Sequence, residues 1–234
     1  MRLLDILMPQ RIKCIVCGKD VGDFEICDKC NKDLPYIIGK TCVKCGINSA
    51  NDLCIECKDA SHKFIQNFSI FVYKDIIQKL IIKFKQSGYK NIGEVLAVKM
   101  LERFKELDIP FDLIVPIPIH SNREKERGFN QSVILAQEIA KYYGRFDENV
   151  ISRIKDTPHQ TGLSKENRKI NLDNAFKVLN KAKVKGKTIL LIDDIYTTGS
   201  TLNECAECLY KSGADKVYGL CLARAEIKQD KYLD

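Results

Sequence analysis

No stretch of this sequence approaches the ~20 consecutive apolar residues that a membrane span requires, so the chain as read has no membrane span. The amino terminus, Met1 to Pro9, is apolar but short and carries Asp5. It is expected to pack as an amphipathic turn and not to act as a leader peptide. Histidine is scarce, with three among 234 residues. His62, His120 and His159 are read as exposed or structural, and none is assigned a chemical role. Acidic residues are outnumbered, 31 against 38 Lys and Arg, which leaves a formal charge of +7. That balance suits phosphate-rich partners without requiring them. Lys177, Lys181, Lys183, Lys185 and Lys187 run without an intervening acid, and Lys74, Lys79, Lys83, Lys85 and Lys90 form a second basic stretch. Each reads either as a solvated face or as a nucleic-acid contact.

Cysteine, by contrast, is abundant, with eleven residues. Without a leader peptide, a secreted disulfide scaffold is not expected; reduced, metal-bound thiolates of a cytoplasmic protein fit better. Eight cysteines fall before residue 60, as Cys14/Cys17, Cys27/Cys30, Cys42/Cys45 and Cys54/Cys57, every pair Cys-x-x-Cys. Two thiolates on one tight turn reach a single ion, and two such turns complete a tetrahedral Zn²⁺ site. Gly18 and Gly46 follow two of the pairs and supply the positive φ that such a knuckle needs. Two structural zinc ions are expected, bound by sequential pairs or by interleaved ones. Residues 1–63 therefore read as a double zinc ribbon too small for a core of its own, whose folding energy comes from metal. Such a module binds nucleic acid or protein, or packs against the next domain.

Residues 64–234 alternate strand and helix patterns, expected as strands at 68–73, 113–117, 149–153, 174–179, 188–193 and 216–223. Helices are expected at 75–87, 92–107, 129–143 and 201–212. The fold class is α/β, a mostly parallel sheet flanked by helices. Cys205 and Cys208, three apart in a helical pattern, are read as core and not as metal ligands.

The run Ile189 to Thr201 is the most specific feature. Four apolar residues lead into Asp193 and Asp194, then Ile195, Tyr196 and the loop Thr197, Thr198, Gly199, Ser200, Thr201, then a helical pattern. The carboxylates are expected just past the strand's carboxyl end, where open α/β sheets bind ligands. Their oxygens suit sugar hydroxyls or a hydrated cation. The loop opens a helix, whose free N–H groups favour phosphate. Thr201 with Glu204 also spells a capping box. The run resembles the diphosphate-ribose motif of type I phosphoribosyltransferases. That resemblance implies a type I phosphoribosyltransferase-like domain. In it, Asp193 and Asp194 hold the ribose hydroxyls of phosphoribosyl pyrophosphate and residues Thr197 to Thr201 cradle its 5-phosphate.

Two further segments, both read as loops, supply cations for a pyrophosphate. Arg123, Lys125 and Arg127 follow Val115-Pro-Ile-Pro-Ile-His120, with Gly128 allowing close backbone approach and a helix beginning near Phe129. Residues 153–171 form a long polar, basic segment with Arg153, Lys155 and His159, of the kind that closes as a lid. With four Cys-x-x-Cys pairs, Val-Pro-Ile-Pro, Arg-Gly-Phe-Asn-Gln, Thr-x-x-Gln-x-x-Leu-Ser and Asp-Asp-Ile-Tyr-Thr-Thr-Gly-Ser-Thr in order, the whole chain resembles the ComF family. Ile117 and Ile195 stand where valine is usual in that family.

The resemblance implies a competence protein acting on single-stranded DNA in uptake and natural transformation, with other uptake or recombination proteins as partners. It also implies Mg²⁺ bound with phosphoribosyl pyrophosphate. If the domain is catalytic, a nitrogen nucleophile displaces pyrophosphate from the ribose, and Arg127 and Arg153 are the candidates to stabilise the leaving charge, with Arg123 and Lys155 beside them. An acceptor pocket is missing from the reading: after residue 223 the sole aromatic is Tyr232. A salvage transferase acting on a nucleobase therefore stands as the alternative.

Overall fold

The structure, a computed structural model, describes residues 12–22, 25–156 and 174–226. Its centre is a four-stranded, all-parallel sheet built from β1 (Asn67–Val72), β2 (Leu113–Pro116), β5 (Thr188–Tyr196) and β6 (Lys216–Arg224), in the order β1-β6-β5-β2. The apolar run of β5 is buried on both sides, as expected of a central parallel strand. Successive side chains alternate between faces. Leu190 and Ile192 enter one core with α3 (Asp75–Phe84), α4 (Lys90–Phe104) and α6 (Gln131–Tyr143). Ile189 and Leu191 enter a second core with α7 (Ser200–Lys211). The expected strands near 149–153 and 174–179 are β3 (Ile151–Arg153) and β4 (Phe176–Val178). They pair antiparallel with each other as a separate ribbon.

Three local expectations are corrected. β5 does not stop at Asp193: its pairing with β6 continues to Tyr196 opposite Arg224, so both carboxylates lie within the last residues of the strand. The basic segment after residue 120 is not a loop but a short helix, α5 (Ser121–Arg127). His120 caps its start by accepting from the Asn122 N–H, and Gly128 (φ +79°) ends it in the left-handed conformation. The next helix begins at Gln131 behind the Asn130 cap, two residues later than expected.

The cysteine-rich segment packs onto the sheet. Its short helices α1 (Asp28–Lys32) and α2 (Ile55–Lys58) each start at the second cysteine pair of a ribbon. Cys14, Ile26, Cys30 and Leu34 share the first core, and Cys42, Cys45, Cys54 and Cys57 the second. Tyr36 bridges to Phe71 of β1 and packs against its ring, with centroids 4.7 Å apart. Gly46 (φ +74°) lies so close to β1 that a Cβ would sit 2.8 Å from the Asn67 carbonyl oxygen. Only glycine satisfies both the knuckle and that approach. Cys205 and Cys221 are fully buried and Cys208 is half-buried, and none of the three belongs to either cysteine group. No helix among the described residues is long and apolar enough to cross a membrane.

Candidate functional site

The eight amino-terminal cysteines form two groups in chain order: Cys14, Cys17, Cys27 and Cys30, and Cys42, Cys45, Cys54 and Cys57. In each group the four sulfurs lie within 4.8 Å of one another. Cys17 Sγ and Cys27 Sγ are 3.8 Å apart, and Cys45 Sγ and Cys54 Sγ 3.6 Å. Those gaps are far too long for a disulfide. They match the edge of about 3.8 Å that a tetrahedron with Zn–S of about 2.3 Å requires. The residues present therefore fit one structural zinc per group, and the sequential pairing is the one the geometry carries. The Gly18 N–H donates to the Cys14 carbonyl at 2.8 Å and the Gly46 N–H to the Cys42 carbonyl at 2.9 Å, closing the two knuckle turns. All four cysteines of the second group are buried, whereas Cys17 of the first is exposed.

The second feature lies at the carboxyl edge of β5. Asp193 is partly buried as a residue, with its carboxyl group enclosed. Its Oδ1 accepts from the Ser132 hydroxyl at 3.2 Å and from the Asp194 N–H at 2.9 Å. Burial first, and then the Asp194 charge, push the Asp193 carboxyl up to about 7. Asp194 Oδ2 pairs with Lys85 Nζ at 2.6 Å, just past the end of α3. After Tyr196 the chain turns at Gly199 (φ +77°), the N-cap of α7. The hydroxyls of Thr198 and Ser200 are 2.8 Å apart, and the Ser200 N–H points to Thr198 Oγ1 at 3.4 Å. Because Gly199 is the cap, the capping box expected of Thr201 with Glu204 does not start the helix. Asp193, Thr197, Gly199 and Thr201 line a common crevice with Tyr196 and Cys221.

The cationic candidates divide. Arg153 is within electrostatic reach of both Arg123 and Asp193. Burial, and then the Arg123 charge, hold its guanidinium below the usual range. Arg127 instead donates to Gln131 Oε1 at 2.9 Å, bracing the start of α6. Asn130 ties the same corner to the β2 segment through its amide, which donates to the Ile117 carbonyl at 3.0 Å. His120 contacts Asp156 at 3.5 Å. Residues 157–173, with His159 and most of the expected lid, lie outside the described residues, as does Tyr232. The Lys177–Lys187 run is partly neutralised, since Lys183 pairs with Asp147.

Residues 3–61 match the double zinc ribbon domain, and residues 90–232 match the phosphoribosyl transferase domain. Competence protein F of Haemophilus influenzae is 31% identical over 220 residues, spanning 91% of this chain and 90% of that protein. Competence protein ComFC of Bacillus subtilis is 30% identical over 200 residues, 82% of this chain and 80% of that protein. DNA utilization protein YhgH of Escherichia coli K12 is 31% identical over 214 residues, 87% and 92% respectively. The chain belongs to the ComF family.

Within this ComF chain, sequence reasoning did not single out four residues. Ser132 and Lys85 hold the two carboxylates, and Tyr196 and Arg224 lie behind the loop. Lys85 stood within a basic stretch and Ser132 beside the Arg-Gly-Phe-Asn-Gln motif. Nothing in sequence spacing pointed to Arg224, whose partner Glu56 is 168 residues away.

Proposed function

We propose that this ComF protein binds phosphoribosyl pyrophosphate with Mg²⁺ at the carboxyl edge of β5, and works on single-stranded DNA in the cytoplasm during DNA uptake. One observation carries the ligand half. A left-handed Gly199 opens a twelve-residue helix directly behind two adjacent, partly buried carboxylates. The loop's free N–H groups and hydroxyls suit the 5-phosphate, and Asp193 and Asp194 suit the ribose hydroxyls. Asp194 with its neighbour offers the hard oxygen donors that Mg²⁺ takes, and the ion would offset charge on the pyrophosphate. Arg153 is within electrostatic reach of Asp193 whereas Arg127 is taken up by Gln131, which makes Arg153 the better candidate for that pyrophosphate, with Arg123 beside it in role. The DNA half is supported by the names of the competence relatives and by the positive charge of the chain.

The test is calorimetric titration of phosphoribosyl pyrophosphate with Mg²⁺, followed on the same preparation by pyrophosphate release across a nucleobase panel and by single-stranded DNA binding. Saturable ligand binding that is lost in Asp194→Ala is the expected result. No binding would sink the ligand assignment. Turnover with one base would move the reading to a salvage transferase, in which Arg123 and Arg153 would stabilise the leaving charge.

A further inference from the structure

A zinc ion held by four thiolates leaves a net charge of about −2, and burying that charge without a partner is costly. The second cysteine group is wholly buried, and a cation faces it from the sheet. Arg224, the last residue of β6, is 2% exposed. Its Nη2 donates to Glu56 Oε2, between Cys54 and Cys57, at 2.7 Å, and the same guanidinium lies beside Cys45. Nη1 donates to the Ala225 carbonyl at 2.5 Å. The guanidinium also packs over the ring of Tyr196, 4.9 Å from its centroid.

Tyr196 closes the path to the loop. It is 3% exposed, its ring meets Phe64 edge-on at 6.2 Å, and its hydroxyl has no hydrogen-bond partner among the described residues. That hydroxyl is pressed against Gly199, so any Cβ there would overlap it. The ring is thus the floor of the 197–201 turn. A second path runs in parallel. The Cys45 carbonyl accepts from Asn67 Nδ2 at 3.1 Å, and Asn67 Oδ1 accepts from Cys221 Sγ at 3.2 Å. Cys221 lines the crevice beneath Asp193. The first cysteine group belongs to the other core, on the opposite face of the sheet, and takes part in neither path.

We infer that the second zinc centre and the 197–201 loop form one coupled unit, in which Arg224 and Tyr196 are positioning residues for the phosphate-binding turn. The inference rests on the ribose-phosphate reading above. Moving the Tyr196 ring opens the floor beneath Gly199, and losing the metal-thiolate charge removes the reason for Arg224 to stay over that ring. Coupling between two binding events is reciprocal. A ligand that fixes the turn therefore retains zinc in the second centre, and zinc in the second centre tightens the ligand.

The experiment follows zinc transfer from the full-length, zinc-loaded chain to a chromophoric chelator, with and without phosphoribosyl pyrophosphate and Mg²⁺. The first centre, with Cys17 exposed, is expected to release in the fast phase and the buried second centre in the slow one. The expected result is a slow phase retarded at least about fivefold by the ligand, with the fast phase unchanged. In Arg224→Gln that retardation disappears and the ligand Kd rises about tenfold, equivalent to ~1.4 kcal/mol. If the wild-type protein binds the ligand by calorimetry yet neither phase responds, or both respond alike, the coupling is wrong while the ribose-phosphate reading stands. If it does not bind the ligand, both fall together. Should Arg224→Gln fail to fold, the wild-type comparison still decides.

Discussion

At the scale of single residues, the enclosed Asp193 carboxyl has the clearest consequences. Its folded value is raised above the ordinary carboxylate range, by burial first and the Asp194 charge second. A group of this kind leaves stability intact below its unfolded value and costs stability as pH rises toward its folded one, near 7. Asp193→Asn keeps an oxygen for Ser132 and for the Asp194 N–H but removes the charge. In the absence of ligand, its melting temperature should match wild type near pH 4 and exceed it by about 4 °C at pH 8, for ~1–2 kcal/mol relieved. Thermal scans of both proteins across that range check it, and a flat difference would mean that Asp193 is charged throughout. An ionised carboxylate is the stronger acceptor for ribose hydroxyls, so ligand affinity should rise from pH 6 to 8 with release of a proton. Asp193 and Asp194 stood out as candidates because they lie between an apolar run and a Thr/Ser/Gly loop that opens a helical pattern, a combination of thirteen residues. Lys85 and Ser132, which hold them, were not, because each arrives from a distant part of the chain.

At the scale of elements, legibility followed apolar patterning. The α3, α4, α6 and α7 helices bury one face, and the four sheet strands are short apolar runs, so each was readable to within a few residues. The α5 helix buries no residue, so Ser121-Asn-Arg-Glu-Lys-Glu-Arg127 carried no periodic signal and read as a loop. What makes it helical is local: a capping His120, strong helix formers and a left-handed Gly128. β5 was read too short because its apolar run ends at Ile192, while its pairing with β6 continues for four more residues. The α5–α6 corner then depends on Asn130, which caps α6 and holds the Ile117 carbonyl. Asn130→Ala should cost about 1–2 kcal/mol in denaturant melts, the usual range for losing a cap. It should also weaken ligand binding, because Ser132 sits on the turn that Asn130 fixes. Unchanged binding at the lower stability would show that the corner does not set the position of Asp193.

At the scale of the whole molecule, the two zinc ribbons are not an appendage: each cysteine group is part of one of the two cores that sandwich the sheet. Composition and spacing could announce the ribbons but not where they dock, since docking depends on Tyr36 and Gly46 meeting β1, and Glu56 meeting Arg224 of β6, across long sequence distances. The same long-range placement sorts the basic stretches. Lys85 turns to Asp194, Lys74 pairs with Glu226 and Lys183 with Asp147. Lys79 and Lys83 remain exposed on α3, the helix that ends beside the paired carboxylates, and exposed Tyr89 lies just beyond its end. That arrangement offers a strand both phosphate contacts and a ring on which to stack. If single-stranded DNA runs along α3, affinity will fall with salt, each neutralised phosphate contributing about 0.7 to the log–log slope. Replacing Lys79 and Lys83 with alanine should then lower the slope by about 1.4 and weaken binding at low salt. Neither side chain lines the crevice around Asp193, so affinity for phosphoribosyl pyrophosphate should be unaltered. An unchanged slope would move the DNA path off α3.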